Sequence, residues 1–341
     1  MSGWVSLPLQ VGNDDTLRKA GEAVREHPAL AVWEGPDEVV WNFTAYSGLY
    51  RSGVYKQPDE WWQQTPLAVE HSEAEAGKIL PKLRDGCQLV RRLDRGRHPI
   101  WINEAAESDL KFIRQYLDDI DITGCDIYPI HANRRRPEKV GDFTERYQHV
   151  GRGKPVWMVL QGFSWHELTP PKDEYLVYPS FAETRLMAYS AIAHGAKGIL
   201  YWGTEVVPKE SSFRQSLLAL VSELNELQSF LTAPEEPGVR VSWTDSRDGT
   251  PEGSHGVRVI ARHANQGWLV ALVNEDDHAH MGLEVIGLKK LEGQTLELLY
   301  GSEKAAVERG GFVTRIKPQE VKVFATSRKW ETSRRAGRNF Q

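Results

Sequence analysis

Six short apolar runs, most of them followed by a helical pattern, constrain the first two thirds of this chain more than any other feature. They are Trp4 to Leu9 (WVSLPL), Ala29 to Trp33 (ALAVW), Pro99 to Asn103 (PIWIN), Asp126 to Ile130 (DIYPI), Pro155 to Phe163 (PVWMVLQGF) and Gly198 to Gly203 (GILYWG). Each is continuously apolar rather than alternating, as expected of strands covered on both faces. Asp14 or Asp15 caps a helix running to about His27, and Ser72 opens a long one to about Leu93. Ser108 caps LKFIRQYLDDI, and further helices cover about Phe181 to His194 and Ser212 to Leu231. Alternation of this kind predicts a parallel sheet, and six regular units favour a closed barrel over an open sheet. Eight strands close a TIM-type barrel. The expected fold class is therefore α/β, a (β/α) barrel incomplete at its N-terminus, with the missing units ahead of Met1 or on another chain, and a genuine six-strand variant as the alternative.

TAPEEPG (Thr232 to Gly238) is a proline-rich, acidic break and the best domain boundary. Beyond it, GVRVIARHA, GWLVALVN, GLEVIG, QTLELLY and QEVKVFAT are short strands between Gly, Asn and Asp turns, the pattern of a small antiparallel β-sandwich. The expected organisation is a barrel over residues 1–232, a sandwich over 238–326 and a disordered basic tail over 327–341.

Composition narrows the partners. A formal net charge of -5 with scattered lysines and arginines gives no basic stripe, so nucleic acid is not expected. No run of about 18 apolar residues exists, so no membrane span is expected. MSGWVSLPLQ has neither a basic n-region nor a signal-peptide core. As written the chain reads as cytoplasmic, and a truncated N-terminus would leave secretion or a periplasmic location open. A homo-oligomer is compatible with the composition. Cys87 and Cys125 follow no metal or disulfide spacing and read as independent thiols. Twelve tryptophans are more than cores of this size ordinarily use, and indole faces stack well on the apolar faces of sugar rings.

The carboxyl ends of barrel strands are where catalytic groups gather. At the second run, AVWEGPDE stops at adjacent acids, Asp37 and Glu38, with Trp33 and Glu34 just before them. A carboxyl beside an indole and a second carboxylate has its pKa raised, which suits Glu38 to general acid catalysis, with Asp37 orienting it or a substrate group. Glu205 and Glu104, also at rim positions, are the candidate second carboxylates, Glu205 preferred for its neighbours Tyr201 and Trp202. Asn103, Tyr128, His131, Gln161, Trp165, Trp202 and Trp33 read as substrate-hydroxyl partners or stacking surfaces. Trp61, Trp62, Tyr46, Tyr50 and Tyr55 fall in a long aromatic-rich insertion that reads as a substrate wall. His194, at a helix end, reads as structural. No HExxH, Walker loop, GxSxG or dinucleotide glycine fingerprint occurs, so neither a catalytic metal nor a cofactor is expected.

Counting the first run as the third strand of eight, three matches resemble the (β/α)8 glycoside hydrolases of clan A. They are an acid after strand four (Glu38), a tyrosine after strand six (Tyr128) and a tryptophan closing strand eight (Trp202). The segment Glu183 to Gly203 (ETRLMAYSAIAHGAKGILYWG) is similar to the last helix-strand unit of barrels related to family 42 β-galactosidases, which also carry a C-terminal β-sandwich. The resemblance spans about residues 4 to 231. It implies an O-glycosyl hydrolase acting on an oligosaccharide or glycoside, with carboxylate acid/base chemistry.

One position departs from that pattern. The resemblance implies a nucleophilic Glu after strand seven, where this chain has Gln161. An alternative reading is therefore a non-catalytic carbohydrate-binding barrel that has lost its nucleophile. Another is substrate-assisted hydrolysis, because an Asp-Glu pair after strand four also resembles the β-hexosaminidases, in which the sugar's acetamido oxygen attacks.

Overall fold

The computed structural model describes residues 3–44, 64–168, 176–243, 256–264 and 267–331. The aromatic insertion residues Tyr46, Tyr50, Tyr55, Trp61 and Trp62 lie outside them. The chain divides into two compact units, Met1–Ile127 with Phe143–Val159, and Tyr128–Asp142 with Leu160–Gln341.

In the first unit, β1 (Gly3–Ser6), β2 (Leu30–Glu34) and β3 (Ile100–Trp101) pair in parallel, in that order. β4 (Glu104–Ala105) continues β3 after two residues and pairs in parallel with β5 (Thr123–Ile127). β6 (Val156–Gln161) starts beside β5, where Thr123 N donates to Pro155 O over 3.1 Å. In the second unit, β7 (Gly198–Trp202) lies beside the end of β6, where Gly162 N donates to Trp202 O over 2.9 Å. With β3 and β4 read as one interrupted strand, six strand positions follow in chain order among the described residues, and β5 begins three residues ahead of the expected Asp126 to Ile130 run. This is the parallel, helix-alternating sheet of a TIM-type barrel.

The helices are α1 (Asp15–Val24), α2 (Val39–Trp41), α3 (Pro66–Asp94), α4 (Leu110–Tyr116), α5 (Lys139–Gly151), α6 (Trp165–Leu168), α7 (Phe181–Ala193), α8 (Ser212–Glu226) and α9 (Gln228–Leu231). Their starts follow capping chemistry. Asp14 accepts from Thr16 N, and Ser180 forms a reciprocal capping box with Glu183. Two expected starts are corrected. α3 opens at Pro66 behind the Thr65 cap, not at Ser72, since proline suits the first helical turn. Asp109, not Ser108, caps α4, because the Ser108 hydroxyl is engaged by the Glu104 carboxylate.

Beyond α9 the chain forms two antiparallel sheets. One has the order β13 (Lys304–Ala306), β12 (Thr295–Leu298), β15 (Val321–Ala325), β10 (Gly267–Asn274), β9 (Val257–Ala264). The other runs β14 (Gly311–Ile316), β11 (His280–Ile286), β8 (Arg240–Trp243). Val270, Leu272, Leu283, Val285, Phe312 and Phe324 share the core of this sandwich. β10 is buried on both faces because α7 also packs against β9, β10 and β15, which is why its sequence is apolar throughout. Arg328–Trp330, expected within a disordered tail, instead forms a 3-10 turn, and the buried Trp330 meets Phe230 edge to face at 4.7 Å. Both cysteines are buried free thiols. Among the described residues no helix is long and apolar enough to cross a membrane.

Candidate active-site residues

In the first unit a cluster of carboxyls gathers at the carboxyl ends of β2, β4 and β5. β2 ends in Glu34, and its chain then turns through Gly35, where a side chain would collide with Ile102 (2.6 Å from an added Cβ). The turn brings Asp37 and Glu38 to the rim. Glu38 sits in left-handed backbone (φ 49°, ψ 48°), a conformation costing a non-glycine residue roughly 1–3 kcal/mol that neighbouring contacts must offset. Those contacts are present: Glu38 N donates to Asn103 O over 3.0 Å, and the Asn42 amide donates to the Asp37 and Glu38 carbonyls.

Glu38 stands in an environment that raises a carboxyl's pKa through burial and a neighbouring like charge. Burial, and then the Asp37 carboxylate, push its carboxyl above the ordinary range, while a hydrogen bond with Asp126 acts in the opposite direction. Burial and Asp37 likewise raise Glu34, which shares hydrogen bonds with Ser6 and Trp4. Asp37 accepts the Asn103 amide over 2.9 Å, and Asn103 Oδ1 is buried with no partner among the described residues. Trp33 takes no part in this. It is buried to 1 % exposure and meets His98 edge to face at 6.3 Å, so it is a core residue and not a substrate wall. Trp101 is also core, packed on Trp157 at 5.3 Å. Part of the tryptophan excess is therefore packing.

Glu104 is corrected as well. It is fully buried, and its oxygens accept from Val40 N, Ser108 Oγ (2.8 Å) and the Tyr116 hydroxyl (2.8 Å). Burial pushes it up to about 7 against those donors. Its role is to tie α2 and α4 to the strand, with no oxygen facing solvent.

The second unit carries an aromatic group at the ends of β6 and β7. Tyr128 stacks on Trp202 at 5.6 Å and meets Phe163 edge to face at 5.0 Å, and Phe163 in turn meets Trp165 and Trp202 at 5.3 and 5.2 Å. Trp202 remains 43 % exposed, so one indole face is open to solvent. Gly203, at φ +82°, permits this packing, because a Cβ there would lie 2.6 Å from the Phe163 ring. Trp165 stacks on His131 at 4.9 Å and 10° and donates its indole N–H to Tyr128 O. Burial, then Arg134, holds His131 below the usual imidazole range, which keeps the stacked ring neutral at neutral pH.

Gln161 differs from the expected substrate donor. It is fully buried, its Oε1 accepts from Ile130 N, and its amide donates to Ile130 O and Phe163 O, at 2.9, 2.9 and 3.1 Å. Every polar atom is committed to the backbone that carries the aromatic group. Gln161 is a clamp. Glu205 stands exposed on the turn after β7. His194 caps α7 and bonds the buried Glu275 through Nε2 at 3.1 Å, a structural role as expected.

Two acids were not singled out by sequence. Asp126 opens an apolar run in the sequence, whereas its strand begins at Thr123 and ends at Ile127, so only the structure puts it near the strand's carboxyl end. Glu34 ends β2 ahead of the turn at Gly35, which is the signal that identifies it.

No protein-family model matches the chain, and no curated protein does. Solved structures do. A β-galactosidase from Bacillus circulans sp. alkalophilus aligns over 91% of this chain and 81% of its own, at 10% identity and TM-score 0.51. A family 42 β-galactosidase from G. stearothermophilus covers the same shares at 12% identity and TM-score 0.49. One from the psychrophilic Marinomonas ef1 aligns over 61% of this chain at 14% identity and TM-score 0.43, and this chain spans 41% of its length. The first of these carries the comparison, and it shows the fold alone, that of a TIM-barrel glycoside hydrolase.

Proposed function

We propose that this protein is a glycosidase in which Glu38 is the proton donor to the glycosidic oxygen. The observation that carries the reading is the Glu38 environment. A carboxyl in strained backbone at a strand's rim is half-buried among acids and raised above its ordinary range, so it holds a proton that a free carboxyl would have lost. Glycosidic cleavage needs such an acid together with an anionic group near the oxocarbenium-like carbon. Asp37 and Asp126 set the proton on Glu38, the first by repulsion and the second by hydrogen bonding. The unpartnered Asn103 oxygen, beside Asp37 in the same unit, is an acceptor for a sugar hydroxyl. Glu104 is not the second carboxylate in this reading, since its oxygens are engaged by protein donors. A substrate-assisted route, with Asp37 orienting a sugar acetamide, needs no further carboxylate.

A second reading, a carbohydrate-binding barrel without turnover, is favoured by Gln161, which is committed to the backbone where a nucleophile would stand. Calorimetry and product analysis on one panel of oligosaccharides, including N-acetylated ones, separate the two. Binding with reducing-end release supports the glycosidase. Binding without release by the wild-type chain supports the second reading, and no binding to any member contradicts both.

A further inference from the structure

We propose that Asp276, His278 and His280, in the turn between β10 and β11 of the sandwich, form a binding site for a divalent transition-metal ion of the zinc class. The inference is independent of the glycosidase reading. One donor atom from each of the three side chains lies within 4.8 Å of the others. Asp276 Oδ2 is 2.9 Å from His280 Nε2 and 3.6 Å from His278 Nε2. In a tetrahedral site with bonds of about 2.0–2.1 Å, neighbouring ligand atoms stand roughly 3.3 Å apart, so both edges need only small side-chain adjustments to admit an ion. Two imidazoles and one carboxylate are the donor set of borderline metals such as zinc, not of calcium or magnesium, which take oxygen ligands.

The turn is built to hold these groups. Asn274, fully buried, donates from one amide nitrogen to His278 O and Lys317 O (2.9 and 2.7 Å) and accepts Asp276 N at its oxygen (3.1 Å). The other Asp276 oxygen, Oδ1, accepts Gly256 N over 3.0 Å, which orients the carboxylate and leaves Oδ2 toward the imidazoles. Outer contacts of this kind fix ligand geometry at metal sites. A register irregularity between His280 and Leu283 in the β11–β14 pairing falls where the ligand strand begins, and bulges commonly re-aim side chains in this way. His278 is largely exposed, so an ion has a path in and a coordination position left for water.

The test is calorimetric titration of the chelator-treated full-length protein with Zn²⁺, repeated on His278→Ala, His280→Ala and Asp276→Asn. The proposal expects one equivalent bound by the wild type. Each variant should lose about a hundredfold in affinity, and the zinc-dependent rise in melting temperature should vanish in His278→Ala, an exposed position whose change leaves the fold intact. Cobalt substitution should give a visible absorption band that His278→Ala removes. No heat with the wild type overturns the proposal, as does wild-type affinity in His278→Ala.

Discussion

Asn103 donates its side-chain amide to the Asp37 carboxylate over 2.9 Å, while its own buried carbonyl oxygen meets no partner among the described residues. A buried acceptor left without a donor costs about 1–3 kcal/mol, which a ligand hydroxyl at this oxygen would offset. Asn103→Ala removes the acceptor and frees Asp37. Saccharide affinity is expected to fall by about tenfold, corresponding to about 1.4 kcal/mol, as read by calorimetry. Unchanged affinity would place the sugar elsewhere.

Gln161 invites the substitution that restores a carboxylate at the end of β6. The geometry predicts that Gln161→Glu fails. Both amide hydrogens are donated to carbonyls, and a carboxylate there would face Ile130 O and Phe163 O with no proton to give. Destabilisation of roughly 3–5 kcal/mol in denaturant unfolding is expected, the magnitude for an uncompensated buried charge. A variant as stable as the wild type that gained turnover would overturn the clamp.

Glu104 makes stability pH-dependent. Its folded pKa is raised to about 7 from the ordinary 4.5 of a free glutamate, so the folded state holds a proton that the unfolded chain has released. The contribution is fully present below about pH 4.5 and is lost as pH rises through about 7, amounting to roughly 3 kcal/mol. Glu34 and Glu38, also raised, act with the same sign. Glu104→Gln should flatten the decline in unfolding free energy between those two pH values. An unchanged slope would remove Glu104 as its source.

Gly203 lets Phe163 lie against Trp202. Gly203→Ala combines a left-handed backbone position with a Cβ 2.6 Å from the Phe163 ring, and the ring must move. A loss of about 1–3 kcal/mol is expected, with a changed near-ultraviolet circular dichroism spectrum. An unaltered spectrum would mean the aromatic group does not depend on this glycine.

Much of the fold was legible because both-face burial writes itself into sequence as continuous apolar runs, and the six strand positions follow the order of those runs. β8, β13 and β14 were not legible: β8 and β13 are four and three residues long, and β14 interleaves its buried residues with exposed ones. α5 was missed because its buried residues are interspersed with charge. At the site, adjacent acids after β2 pointed to Glu38, and the position of Trp202 at the end of an apolar run marked it as a rim residue. The role of Gln161 and the burial of Trp33 and Glu104 depend on partners distant in sequence, Ile130, His98 and Tyr116 among them, which no local pattern encodes. The spacing Asp276-x-His278-x-His280 was legible, but it lies far from the strand ends where chemistry was sought.

The role of Glu38 is tested most directly by comparing the wild type with Glu38→Gln on an unactivated oligosaccharide and on its nitrophenyl counterpart, whose leaving group needs little protonation. The variant should lose about a hundred- to ten-thousandfold in turnover on the first and markedly less on the second, with binding retained. Cleavage of the unactivated substrate at the wild-type rate would contradict it.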